Sequence, residues 1–115
     1  MRAIAVVADL LFQAKIRSAA SAAGVDAAFP RSSDAIEEAL AAGEDSVLVL
    51  VDLTTRWVDA LRVIERIKSR SDRESVIVAF GFHDDPERLQ AAREAGADRA
   101  MPRSVFVKEL GSFFA

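Results

Sequence analysis

With 115 residues, 51% of them apolar and 29% charged, the chain has the size and composition of one domain with a real hydrophobic core. A net charge of −3 offers no basic field to nucleic acid or anionic lipid, and the lack of cysteine rules out disulfides, thiol catalysis and cysteine-ligated metals. No stretch is long enough to span a bilayer, and Asp9 interrupts the apolar start too early for a signal peptide, so a cytoplasmic location is expected.

In chain order, residues 4–7 form a short apolar run ending at Ala8-Asp9, which predicts a buried strand. Residues 10–23 then follow helical spacing. Leu11, Ala14, Ile16, Ala19, Ala20 and Ala23 are expected toward the sheet, with Gln13, Lys15, Arg17 and Ser21 outward. Gly24 stops this helix. Residues 25–29 carry Asp26 inside them and are closed by Pro30, which predicts an edge strand. Ser32-Ser33-Asp34 offers N-caps for a helix running to about Ala42, with Gly43 after it.

Residues 46–52, Ser-Val-Leu-Val-Leu-Val-Asp, are an unbroken apolar run halted by a carboxylate. Such a run predicts a strand covered on both faces, in the middle of a parallel sheet. A helix is expected over 57–68, with Val58, Leu61, Ile64 and Ile67 on one stripe, and a polar loop over 69–74. Residues 76–80 predict a fourth strand ending at Gly81-Phe82-His83. Asp84 or Asp85 caps the next helix, with Pro86 in its first turn and Gly96 at its end. A short strand over 97–101, the segment Pro102-Arg103-Ser104 and a last helix over 105–114 complete the chain. Phe113 and Phe114 are neighbours about 100° apart on that helix, so one of them is expected to be exposed unless something covers it.

Alternating strands and helices predict an α/β domain over residues 1–115, a doubly wound five-stranded parallel sheet with helices on both faces. The weak second strand belongs at an edge and the 46–52 strand in the middle, which the flavodoxin-like order 2-1-3-4-5 satisfies. In such sheets the functional crevice lies beyond the carboxyl ends of the strands. Asp9, Asp52, Thr54, the segment 80–83 and Arg103-Ser104 converge there. Two carboxylates at adjacent strand ends can share a hard cation such as Mg²⁺, and Arg103 opposite them can hold a phosphoryl or carboxylate group.

Val6-Val7-Ala8-Asp9, Val49-Leu50-Val51-Asp52-Leu53, Ala95-Gly96-Ala97-Asp98 and Met101-Pro102-Arg103-Ser104 stand in the order and spacing of a response-regulator receiver domain, and the chain resembles that CheY-like family over its whole length. The resemblance puts Asp52 at the phosphoacceptor position and Asp9 at the second acid of the metal-directing pair, with Thr54 supplying a carbonyl to the metal. It also marks departures. Ala8 stands at the first acid, Phe80 (or Gly81, one residue on) at the switch hydroxyl, Arg103 at the lysine and Ser104 at the proline that usually follows. Phosphorylating an aspartate needs a metal to offset charge on the incoming group, and Phe80 has no hydroxyl to move toward a phosphate. The resemblance therefore implies a degenerate receiver, a pseudo-receiver, in two-component signalling.

Each site residue has a plainer reading beside the sharper one. Asp52 is a phosphoacceptor or a strand-end carboxylate bonded to loop amides. Asp9 is a metal ligand or the N-cap of the helix that follows. His83 is an anion, phosphoryl or metal contact, or a surface loop residue. Arg103 grips an anion with Ser104, or pairs internally with Asp52 and Asp9. Trp57 anchors a partner or packs on the start of its helix.

No Gly-x-Gly-x-x-Gly, no Gly-x-x-x-x-Gly-Lys and no convincing catalytic triad is present, so an enzyme is not expected beyond autophosphotransfer at Asp52. The expected role is a stand-alone signalling or adaptor domain that needs no cofactor. It would act on a protein partner or as a homodimer, through its last strand and helix. The alternatives are a Mg²⁺-dependent phosphoacceptor using Asp52, and a binder of a small anion at the carboxyl edge.

Overall fold

The computed structural model describes residues 1–43, 46–70 and 74–115. The elements are β1 Arg2–Val6, α1 Leu10–Ala22, β2 Asp26–Ala28, α2 Ser33–Ala41, β3 Val47–Asp52, α3 Ala60–Lys68, β4 Ser75–Gly81, α4 Pro86–Ala95, β5 Arg99–Pro102 and α5 Arg103–Phe113. All pairings are parallel and the order is β2-β1-β3-β4-β5, the doubly wound order that the hydrophobic runs predict. The polar loop expected over 69–74 lies partly outside the described residues.

The sheet separates two apolar layers, and the alternation of side chains along each strand sorts residues between them. Val47, Val49 and Val51 of β3 join Ile4, Val6 and Ile77 beneath α2, α3 and α4. Leu48 and Leu50 join Ala3, Ala5, Val78 and Phe80 beneath α1 and α5. Every residue of β3 is buried, which is why its sequence shows no polar alternation. Each such Val or Leu contributes about 1.5–3 kcal/mol of hydrophobic stabilisation.

Helix ends follow local chemistry. Asp9, Ser32, Asp59 and Asp85 cap α1, α2, α3 and α4, each accepting a hydrogen bond from a first-turn amide. The chain leaves α1 through Gly24, whose φ of +69° lets Val25 N–H reach the Ala20 carbonyl at 2.9 Å and Gly24 N–H reach that of Ser21 at 3.1 Å. Gly96, at φ +124°, repeats the device, with Ala97 N–H on the Ala92 carbonyl at 3.0 Å. A β-carbon on Gly96 would lie 2.7 Å from Lys68 Cγ, so both space and backbone conformation select glycine there.

Four expectations are corrected. In α1 the inward face is Phe12, Ile16, Ala19 and Ala20, while Leu11 is 64% exposed and Ala14 and Ala23 also face water. Capping by Asp9 fixes the phase of the helix, and the Ala-rich sequence gave too weak a contrast to fix it alone. Helix α3 begins at Ala60, not at Trp57, because Asp59 caps it; its buried residues are Ala60, Val63, Ile64 and Ile67, with Val58 and Leu61 half-buried. Strand β5 starts at Arg99, two residues late, after Asp98 has exchanged bonds with the Ile77 backbone at 2.9 and 2.7 Å. Neither terminal phenylalanine is fully exposed: Phe114 lies beyond the helix and turns into the core, and Phe113 is half-buried beneath the Arg99 guanidinium.

Candidate functional site

The carboxyl ends of β1, β3, β4 and β5 bring the sequence-marked residues to one edge, but not into one cluster. Asp52 ends β3 with 1% of its surface exposed. Burying a carboxylate requires donors, and its own loop supplies them. Thr54 donates its backbone N–H at 2.9 Å and its hydroxyl at 2.7 Å, both to Asp52 Oδ1. Thr55 turns the other way and donates its hydroxyl to the Val6 carbonyl at 3.4 Å. Arg88 of α4 holds the same loop from the far side, donating to the Leu53 carbonyl at 3.0 Å.

Asp9 sits at the rim, where one oxygen, Oδ1, accepts from the amides of Leu11 and Phe12 at 2.9 and 3.1 Å. Its Oδ2 accepts from Arg103 at 3.1 Å. The Asp9 carboxyl is held below its usual range, chiefly by the Phe12 N–H. Partial desolvation opposes this, and the bond and charge of Arg103 add to it. Arg103 pairs with Asp9 only; among the described residues no ion pair joins it to Asp52. Its guanidinium carbon lies over Phe12, 4.2 Å from the ring centroid, and 5.8 Å from that of Phe82. Arg103 Nε is buried without a partner, so the side chain is held by ring faces and one carboxylate.

These bonds decide what the edge can hold. Mg²⁺ takes oxygen ligands, usually from one or two free carboxylates. Both oxygens of Asp9 are engaged, Ala8 offers no side-chain oxygen, and Asp52 Oδ1 already has two donors. Among the described residues no group of three acidic or histidine side chains gathers to surround a cation. Of the four carboxylate oxygens of Asp9 and Asp52, three thus already accept from protein donors. His83 and Ser104 are exposed and flank a recess of about 230 Å³ with Phe82, Pro102 and Arg103, apart from Asp52.

Phe80 is the neighbour of Asp52 in register across β3 and β4. It is fully buried and belongs to a stack of four rings. Phe80 and Phe106 have centroids 3.9 Å apart, Phe12 lies against both, 5.5 Å from Phe80 and 6.3 Å from Phe106, and Phe113 lies 5.7 Å from Phe106. The stack joins α1, β4 and α5, with Arg103 over one end and Arg99 over the other. Sequence reasoning missed it because Phe12 lies one step off the stripe drawn through Leu11; the signal was the spacing of Phe12 and Ile16.

No protein-family model matches the chain, and no curated protein matches it by sequence. Solved structures do match. A response regulator from Thermotoga maritima superposes with a TM-score of 0.74 at 15% identity, over 99% of this chain and 98% of that one. A response regulator receiver domain from Rhodospirillum rubrum gives 0.78 at 16% identity, over 99% and 91%. The receiver domain of the TMAO respiratory system response regulator TorR gives 0.79 at 19% identity, over 95% and 88%. At these identities the likeness establishes the fold: the chain has the CheY-like receiver architecture.

Proposed function

We propose that this chain is a signalling domain of receiver type that acts by binding a protein, with aspartyl phosphorylation impaired or absent. The place of Phe80 carries the reading. Receiver signalling requires a hydroxyl beside the phosphorylated aspartate, free to move toward the phosphoryl group. Here the register neighbour of Asp52 is a fully buried aromatic ring, packed against Phe12 and Phe106. The engagement of Asp9 by Arg103 and the α1 amides supports the same conclusion, because it removes the oxygens that would steer a metal. The contact surface we assign is β5 with α5, where Val105 and Val107 are left exposed, and it serves a protein partner or a second copy.

Amide NMR spectra recorded during addition of Mg²⁺ and then beryllofluoride test this. The expected result is no saturable shift at Asp52, Thr54 or α5 up to about 10 mM, a concentration at which even millimolar affinity would be visible. A saturating response at Asp52 that spreads to α5 would overturn the proposal and make the domain a working phosphoacceptor.

A further inference from the structure

We propose that the cleft between the loops following β1, β2 and β3 binds a planar, ring-bearing anion of about mononucleotide size, with Trp57 as its stacking platform and Arg31 as its counter-ion. The place comes from topology. The strand order reverses between β1 and β3, so α1 and α3 leave toward opposite faces and the loops part there. Open α/β sheets bind ligands at such switch points.

The cleft has a volume of about 410 Å³ and is lined by Val7, Leu10, Gln13, Pro30, Arg31 and Trp57. That volume suits a small molecule. The Gln13 side chain is tied to the Val7 carbonyl at 2.6 Å, which fixes one wall. Leu10, 74% exposed, and Trp57, 36% exposed, present apolar surface at the opening that the core does not use. A flat ring set against them would cover both.

Charge selects the anion. Among the described residues every other arginine has a partner: Arg2 on the Ala39 carbonyl, Arg17 on the Phe29 ring, and Arg62, Arg66, Arg70, Arg99 and Arg103 on carboxylates. Arg88 and Arg93 reach backbone carbonyls. Arg31 and Arg56 have none, and no carboxylate lines the cleft. Arg31 forms its wall and Arg56 immediately precedes Trp57. In a chain of net charge −3, an arginine without a partner among the described residues thus lines the cleft beside the half-exposed tryptophan, and a second precedes it in sequence. The neighbouring α2–α3 groove also touches Trp57, but its two arginines are engaged by Glu37 and Asp59 and Asp34 adds a further acid to its rim. This site is separate from the recess beside Arg103 and from Asp52.

Trp57 is the only tryptophan, so its fluorescence reports directly on ring stacking. Adenosine monophosphate, guanosine monophosphate and naphthalene-2-sulfonate are the probes, with adenosine and inorganic phosphate as the ring-only and anion-only controls. We expect saturable quenching by at least one probe, with a dissociation constant of about 1 mM or lower, and binding of both controls weaker by about tenfold or more. Arg31→Ala should weaken the probe by about tenfold, and Arg56→Ala by less. Both residues are exposed and unpaired, so the variants retain the fold, which circular dichroism verifies. Amide shifts should fall on residues 7–13, 31 and 57. The proposal is overturned if none of the three probes saturates by about 5 mM, if Arg31→Ala binds as well as the parent, or if the shifts centre on Arg103.

Discussion

The rings of Phe80 and Phe106 lie nearly parallel, 3.9 Å between centroids, and close the space between β4 and α5. Phe80→Thr would place a hydroxyl beside Asp52 while deleting the ring that packs on both Phe12 and Phe106. The expected cost is about 3–5 kcal/mol, a large part of the 5–15 kcal/mol that typically holds a domain together. Urea unfolding measures it. A loss under about 1 kcal/mol would mean that the stack is not a structural keystone. The hydroxyl alone should not create a beryllofluoride response, because Asp9 stays engaged.

Asp9 ties acid sensitivity to one helix end. Its pKa is lowered in the folded state, so its contribution to stability is fully present above the ordinary carboxylate value of about 3.9. That contribution is lost as pH falls through the folded value. NMR titration of the Asp9 carboxyl should give a midpoint below that of an unfolded peptide. In Arg103→Gln the midpoint should rise only part of the way, because the Phe12 N–H, the larger cause, remains. A full return to the peptide value would reverse that ranking.

Arg103→Lys installs the residue expected from the receiver pattern and should nevertheless destabilise. A lysine keeps the charge but lacks the planar guanidinium that stands 4.2 Å from the Phe12 ring centroid while donating to Asp9. The expected loss is about 1 kcal/mol, read as a lower thermal midpoint. An unchanged or raised midpoint would show that stacking on Phe12 contributes nothing.

The phase of α1 can be tested by a pair of substitutions. Ile16→Ala removes a fully buried side chain and should cost about 2–4 kcal/mol. Leu11→Ala alters an exposed one and should stay within about 0.5 kcal/mol. Comparable costs at the two sites would restore the stripe through Leu11.

How much was legible in the sequence depended on how strongly each signal was written. The unbroken apolar run of β3 and the Gly24 and Gly96 stops placed strands and helix ends within a residue or two, because one dominant local effect governs each. The phase of α1 was not legible, since alanine on several faces leaves the sequence nearly indifferent to rotation. The start of α3 was misplaced because Asp59, a good cap, stood behind an apolar Trp57-Val58 pair that also suits a helix. At the site, sequence order could bring Asp9, Asp52 and Arg103 to one edge. It could not divide the hydrogen bonds among them. That division follows from the Asp9 cap on α1 and the Thr54 hydroxyl on Asp52.

The sheet is graded from its middle outward. The six residues of β3 are hydrogen-bonded on both sides and wholly buried, whereas β2 has three residues, bonds only to β1 and is largely open to water. Amide protons in β3 should therefore exchange with solvent only through global unfolding, while those of β2 escape through small local openings. The proposed anion cleft has one wall built on the loop after β2 and another on the loop after β3. One side of it would thus breathe on a fast clock and the other on the slowest clock in the molecule.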